Sequence, residues 1–250
     1  MTLLLVLIAL VGVTAATAAW FMISDRTRVY SLSMNITAGP SLRFDTVAHE
    51  KYEDYPQTIT FDQIADAVLR QQNYDMRKTV IRPVTTSDVQ TFTYRDGSPV
   101  RANTGAYWEF PIHFIASEDM IVHLTAQNST GKQDGTLISS SIPQLPDSLR
   151  IAFEADGNIM VYDPGMGDSS TFFGKIKNFG LQTGNVSVYN QNSVLFPLKA
   201  ETDKTVIFRV WMEGTDEACT DELKNSDFEI RLRFEGTDEA GNRLSGRRPQ

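Results

Sequence analysis

Two hydrophobic patterns divide the chain. Residues 3–23 form an uninterrupted apolar run, and a helix of that length, at about 1.5 Å per residue, crosses the roughly 30 Å of bilayer hydrocarbon. From Asp25 onward, apolar and polar positions alternate, which is typical of half-buried β-strands. The two patterns predict an N-terminal hydrophobic helix followed by a single β-sandwich domain over residues 25–250.

The first alternating segment, Val29–Ile36, predicts a strand in which Tyr30, Leu32, Met34 and Ile36 share one face. Eleven further segments predict strands, and turn residues bound most of them. They are residues 41–47, 79–84, 89–94, 107–116, 120–126, 149–154, 158–162, 185–189, 194–198, 205–213 and 227–235. About a dozen strands at this spacing favour an all-β, jelly-roll-like sandwich.

Local signals add one short helix and one hairpin. Thr60 and Gln63 have the spacing of a capping box, and the apolar residues that follow fall on one helical face up to Gln72. We expect this helix to close one end of the sandwich. The Asp156-Gly157 pair predicts a tight turn between the strands on either side of it.

A short internal repeat predicts a pair of similar strands. Residues 209–218 recur as residues 231–240, and both copies contain Glu-Gly-Thr-Asp. We interpret the repeat as two neighbouring strands that leave their sheet through the same turn.

The apolar run carries the composition of an export signal. Its second half is rich in small residues, and Ala16, Ala18 and Ala19 provide the A-x-A spacing of a cleavage region. Residues 1–24 are therefore interpreted as a signal peptide, with a retained membrane anchor as the alternative. No basic residue precedes the run, whereas Arg26 follows it. By the positive-inside rule, this arrangement would keep the bulk of the chain in the cytoplasm, which conflicts with export.

Charge and cysteine content exclude several classes of protein. The 23 basic and 31 acidic residues give a net charge of −8, which disfavours a nucleic-acid partner. Cys219 is the single cysteine. Neither an intramolecular disulfide, nor a CxxC redox pair, nor a cysteine-rich zinc site can therefore form.

One acidic turn is a candidate cation site. Asp216, Glu217, Asp221 and Glu222 cluster around Cys219, and carboxylates are the ligands that Ca²⁺ prefers. The order of an EF-hand loop is absent, so a solvated acidic loop is the alternative.

Residue types for catalysis are scarce. His49 begins a His-Glu pair but lacks the second histidine of a zinc protease, and His113 and His123 lie in predicted strands that could bring them together. The sequence contains no nucleophile elbow, P-loop or dinucleotide fingerprint. We therefore expect that the protein is not an enzyme and that it binds no cofactor.

An aromatic row marks the predicted strand over residues 107–116. Tyr107, Trp108, Phe110 and Phe114 follow one another closely enough to form part of the core. An exposed row of this kind would instead serve as a platform for stacking sugars.

Five features of the sequence occur together: a small-residue signal ending in Ala19-Trp20-Phe21, the first alternating strand, and the segments 107–114, 149–153 and 210–216. Together they resemble the secreted Firmicutes proteins that carry a SipW-type signal peptide, the family of the TasA and camelysin biofilm-matrix proteins. The resemblance implies an exported jelly roll that polymerises by donating its N-terminal strand to a neighbour. Some camelysin-like proteins are described as metalloproteases, but the HExxH motif is absent here.

The leading hypothesis is an exported, non-enzymatic subunit of an extracellular fibre or biofilm matrix on a Gram-positive-type bacterium. Its partner would be another copy of itself, with the cell envelope or matrix as a further partner and membrane contact only through residues 3–23. In this mechanism Tyr30, Leu32, Met34 and Ile36 fill pockets on the next subunit. The alternatives are an ordinary first strand paired within its own domain and a monomeric adhesin or glycan-binding module.

Overall fold

The chain folds as a sandwich of two main β-sheets, with two helices among the described residues. This computed structural model describes residues 27–28, 32–78, 80–126, 132, 134–167, 170–182, 188–220, 223 and 227–244. For residues 27–28, 32–36, 80, 170–173 and 192 it describes the backbone alone. The all-β prediction is confirmed at the level of two sheets and few helices, whereas the apolar run 3–23 lies outside the described residues.

The larger sheet has seven strands, all antiparallel to their neighbours except for the pair β10 and β12, which is parallel. In spatial order these strands are β11 (Ser170–Phe173), β12 (Ile176–Phe179), β10 (Asn158–Tyr162), β9 (Leu149–Ala155), β14 (Lys204–Met212), β6 (Tyr107–Ala116) and β3 (Leu42–Asp45).

The smaller sheet is built around the last strand of the chain. In spatial order it contains β13 (Val194–Leu198), β7 (Met120–Leu124), β15 (Phe228–Thr237), β2 (Leu32–Ala38) and β4 (Thr58–Ile59), while β8 (Leu137–Ser140) pairs with the first half of β15. The two-residue strands β1 (Thr27–Arg28) and β5 (Val80–Ile81) pair separately. The helices are α1 (Phe61–Gln72) and α2 (Leu145–Ser148).

The main core lies between the two sheets and is rich in aromatic side chains. Phe234 of β15 has no exposed surface. Its ring lies 5.4–6.1 Å from four rings on separate strands of the larger sheet, namely Phe44, Phe114, Phe153 and Phe208. Edge-to-face contacts at these distances are favourable beyond the burial of area. One residue of β15 therefore joins four strands of the opposite sheet.

The helix α1 has the predicted bounds, and its capping box is present. The Gln63 carboxamide accepts a hydrogen bond from the Thr60 backbone N–H at 3.0 Å, and the helix ends at Asn73 in the left-handed conformation (φ 52°). Its buried face packs against strands of both sheets, chiefly β6 and β2. The predicted hairpin is also confirmed, because Asp156 (φ 51°) and Gly157 (φ 74°) join β9 to β10.

Two predictions are wrong. The repeated segments do not form neighbouring strands, because β14 belongs to the larger sheet and β15 to the smaller one. The first Glu-Gly-Thr-Asp copy forms a turn after β14, whereas in the second copy β15 continues through Thr237. Residues 89–94 form no strand, because Val89 has a positive φ of 61° and the backbone hydrogen bonds of this segment, such as Thr85 with Thr93, are local.

Residues 84–106 instead form a covering segment over the outer face of the larger sheet. Val84, Val89 and Phe92 of this segment are buried against Val161 and Trp211 of the sheet, forming a second, smaller hydrophobic cluster. One edge of this segment bounds a cleft on the outer face.

Candidate functional site

The predicted donor strand corresponds to β2, which pairs in parallel with β15 along its whole length. Both strands belong to one chain, as the alternative of an ordinary first strand paired within its own domain predicts. Its predicted contact residues stand at register positions opposite core residues, in the pairs Leu32 with Phe228, Met34 with Ile230, and Ile36 with Leu232. These three partners on β15 are at most 3% exposed. Tyr30 lies outside the described residues, as do Ala16, Ala18 and Ala19 of the predicted cleavage region.

The other side of β2 is paired only at its C-terminal end. The two-residue strand β4 pairs with Ile36 and Thr37. Toward Leu32, the described part of the chain places no further strand on this side. Among the described residues, the N-terminal half of β2 therefore pairs with β15 alone.

A tight connection joins β2 to β3 and carries the chain from one sheet to the other. It consists of Gly39, Pro40 and Ser41. Ser41 has a positive φ of 65°, a conformation that is uncommon for residues other than glycine. The Ser41 hydroxyl donates a hydrogen bond to Glu118 at 2.8 Å, and the Gly39 N–H donates to the Phe234 carbonyl at 2.9 Å.

A buried carboxylate packs against this connection. Glu235 is 4% exposed, and its carboxylate lies so close to Gly39 that a Cβ at position 39 would sit 2.6 Å from Glu235 Oε1. Burial raises the pKa of Glu235, and the positive charges of Arg233 and Arg243 partly oppose this effect. Glu235 Oε2 is 3.6 Å from Arg233 Nε and has no hydrogen-bond partner among the described residues.

The acidic turn does not present a metal site within the described residues. Asp216 forms an ion pair with Arg150 and accepts a hydrogen bond from the Ala218 N–H at 2.8 Å. Glu217 lies in the same turn, and Asp221 and Glu222 lie outside the described residues. Where the chain is described, no three His, Cys, Asp or Glu side chains form a group that could hold a metal ion.

The three histidines occupy separate environments. His49 contacts Asp45 at 2.7 Å, and His113 contacts Asp203 at 3.0 Å. His113 lies on β6 of the larger sheet and His123 on β7 of the smaller sheet, so paired strands do not bring the two histidines together.

His123 itself is inaccessible. Its ring nitrogens lie 3.0 Å from the hydroxyls of Ser193 and Thr237. Burial lowers the pKa of His123 to about 4, so the ring is neutral at pH 7 and serves as a buried hydrogen-bonding group.

The aromatic row on β6 belongs to the interior. Trp108, Phe110 and Phe114 are at most 1% exposed, and the Tyr107 ring stacks on Phe92 at a centroid distance of 4.1 Å. The sugar-stacking interpretation of this row is therefore wrong, because the rings face either the core or the covering segment.

A cleft that the sequence did not predict lies between the covering segment and the outer face of the larger sheet. Its volume is about 390 Å³. Its apolar lining includes Val161, Ile176 and Trp211, and its polar lining includes Arg150, Asp163, Asn178 and Glu213. These residues come from four strands and the segments that follow them, so no single stretch of sequence carries the signal.

The charged groups of the cleft are arranged around one guanidinium group. Arg150 Nη2 forms ion pairs with Asp163 at 3.2 Å and with Asp216, while Nη1 donates to the Asp147 and Leu149 carbonyls. Burial raises the pKa of Asp163 although Arg150 opposes this, and the charges of Asp216 and Asp147 also raise it. At this end of the cleft, the carboxyl groups of Asp163, Asp216 and Asp147 outnumber the guanidinium group of Arg150.

Comparison with known proteins gives no relative. No protein-family model, curated protein or solved structure matches this chain. Within the described residues, no helix has the length and apolar character needed to cross a membrane.

Proposed function

We propose that this protein is an exported, non-enzymatic structural subunit that assembles into an extracellular fibre or matrix by donating β2 to a neighbouring copy. The observation that carries the proposal is the position of β2. An N-terminal strand pairs with the last strand of the domain through seven register positions, and it is joined to the rest of the chain by three residues.

The first supporting argument is the surface that β2 covers. Without β2, one side of Phe228, Ile230 and Leu232 would face solvent, and the main-chain groups of β15 on that side would lose their partners. An unpaired strand edge of this kind is a template for a strand from another chain. Removal of β2 leaves a groove beside β15. Because all copies are identical, β2 of a neighbouring copy pairs with β15 in the same register and fills this groove.

The second argument is the connection between β2 and β3. When two subunits exchange an identical element, that element makes the same contacts with the partner as it made with its own subunit. The exchange therefore requires only that the hinge open. Gly39, Pro40 and Ser41 form a short hinge, and the positive φ of Ser41 stores strain when the hinge is closed. An extended hinge would release that strain.

The finer features of the proposal follow from the sequence. They are a jelly-roll topology for the sandwich, a hydrophobic helix over residues 3–23 that acts as signal peptide or anchor, and export to the surface of a Gram-positive-type bacterium. The partner is a second copy, with the cell envelope or matrix as a further contact and no nucleic acid.

The test compares two truncated proteins by size-exclusion chromatography with light scattering. A variant that lacks residues 1–24 retains β2, whereas a variant that lacks residues 1–36 loses most of it. We expect the first to form concentration-dependent polymers and the second to remain monomeric. If both assemble to the same extent, β2 has no part in the assembly. A glycan array with the first variant tests the adhesin alternative, which predicts specific binding by a monomer.

A further inference from the structure

The cleft beside the covering segment combines an apolar floor with an acidic rim. Val161 and Ile176 are side chains of the outer sheet face that contribute to the floor, and Asp163 and Glu213 contribute carboxylates. Among the described residues that line the cleft, Arg150 is the single basic one. Such a lining complements a side chain with an aliphatic stem and a cationic head.

The one guanidinium in the cleft is not available to bind an anion. Arg150 directs Nη1 at two backbone carbonyls and Nη2 at the carboxylates of Asp163 and Asp216. The Glu213 carboxylate accepts hydrogen bonds from the Trp211 indole N–H at 3.0 Å and from the Thr215 N–H at 3.1 Å. A rim of carboxylates favours a cation as the ligand.

This chain contains two adjacent pairs of basic residues, Arg77-Lys78 and Arg247-Arg248. Arg77 is already engaged, because its guanidinium contacts Asp62, Asp66 and Asp75. The second pair lies in residues 245–250, a segment outside the described residues that contains no acidic side chain. Its charge complements the cleft in a protein whose net charge is −8.

The cleft and the residue before this basic segment, Leu244, lie at opposite ends of the sandwich. The Leu244 N–H donates to the Gly236 carbonyl at 3.2 Å, which fixes the start of the segment beside the end of β15. Phe228 of β15 stacks on Trp108, the register partner of Val210, whereas Phe234 contacts Phe208. Residues beyond Phe234 therefore lie toward the beginning of β14, away from the cleft at its far end.

The geometry favours the cleft of a second molecule over the chain's own. Phe234, two residues before Gly236, contacts Phe208, which is five residues of strand, or about 16 Å, before Glu213. The cleft also lies on the outer face of the larger sheet, whereas β15 faces the inner one. The backbone between Leu244 and Arg248 reaches about 14 Å when fully extended.

We propose that the cleft binds the Arg247-Arg248 segment of a second copy. The contact is heterologous, since the cleft of one molecule receives the opposite end of the next, and contacts of this type build rings or open chains. It uses neither β2 nor the groove beside β15, so it is independent of strand donation and adds a second contact to any polymer that strand donation forms.

The test is fluorescence anisotropy with a labelled Ser-Gly-Arg-Arg-Pro-Gln peptide and the full chain. We expect saturable binding that weakens at least about fivefold in 0.5 M NaCl, because salt screens exposed charge pairs. A Ser-Gly-Gln-Gln-Pro-Gln peptide should bind at least about tenfold more weakly, since it lacks both charges.

Variants of the cleft locate the binding site. Asp163→Asn with Glu213→Gln keeps the size of each side chain and one acceptor oxygen in each but removes two carboxylates, and it should weaken binding of the basic peptide at least about fivefold. Asp119→Asn is the matched control, because it removes a carboxylate next to Lys199 at the opposite end of the sandwich. Equal binding of both peptides, or equal binding by the double variant and the control, would overturn the proposal. Because peptide binding is measured without polymerisation, failure of strand donation would leave these results unchanged.

Discussion

Loss of β2 should destabilise the domain by an amount that the structure allows to be estimated. A variant that lacks residues 1–36 loses the register partners of Phe228, Ile230 and Leu232, which are at most 3% exposed in the folded chain. Uncovering about 50 Å² of each side chain, a third or less of the 150–250 Å² that a large aromatic side chain buries, exposes about 150 Å² in total. At about 25 cal/mol per Å², this exposure costs about 4 kcal/mol of unfolding free energy.

The measurement is urea unfolding followed by circular dichroism, with the variant that lacks residues 1–24 as reference. With a slope of about 2.5 kcal/mol per molar, the midpoint should fall by about 1.6 M. A synthetic peptide covering residues 29–38 should reverse the loss when added to the shorter variant, because a ligand that binds only the folded state stabilises it. At one hundred times its dissociation constant, the peptide should restore about 2.7 kcal/mol.

A peptide with Met34→Asp is the control for this rescue. Met34 stands opposite Ile230, which has no exposed surface, and a carboxylate placed against that position would lose its hydration. The reasoning is refuted if the two truncated proteins unfold at the same urea concentration. It is refuted equally if the control peptide restores stability as well as the natural sequence does.

Three further substitutions test the packing. Phe234→Ala should lower the unfolding free energy by about 3–5 kcal/mol in urea titrations, because it leaves a cavity among four aromatic rings; a loss below about 1 kcal/mol would contradict this central position. Gly180→Ala should destabilise by at least about 2 kcal/mol, since its Cβ would lie 1.4 Å from the Gly167 carbonyl oxygen, and unchanged thermal unfolding would contradict that contact. Because burial raises the pKa of Glu235 above its ordinary value of 4.5, its contribution to stability is fully present below that value and is lost as pH rises through the folded-state pKa. The stability of the wild-type chain relative to Glu235→Gln should therefore decline as pH rises above about 4.5, and a difference that does not change with pH would contradict the raised pKa.

Local sequence signals predicted the elements whose causes are local. The capping box at Thr60 and the periodic apolar face gave the bounds of α1, and Asp156-Gly157 gave the turn of the β9–β10 hairpin. β6, β10 and β13 also have the predicted bounds, because apolar residues dominate each of these segments. Each of these signals is contained within a dozen residues.

Features that depend on distant pairing could not be predicted in the same way. The repeated segments in β14 and β15 have similar sequences, yet their strand partners place them in different sheets. Residues 89–94 alternate like a strand, but the Asp88 carboxylate accepts hydrogen bonds from the Gln90 and Thr91 N–H groups and stabilises a loop. The cleft has no local signature either, because Asp163 and Glu213 are 50 residues apart in the sequence and meet only across the sheet.

The order of strands along the chain gives β2 a long interval without its final partner. β2 is the first strand of the main sheets, and β15, the strand with which it shares seven register positions, is the last. During synthesis and early folding, β15 must also pair with β7 and β8 before the smaller sheet is complete. Pairing at such large sequence separation is slow because the intervening loop must close first. We therefore expect the protein concentration at the moment of folding to decide whether β2 pairs within its own molecule or is exchanged between two molecules. Refolding the variant that lacks residues 1–24 at high protein concentration should then yield more polymer than refolding it as a monomer and concentrating it afterwards.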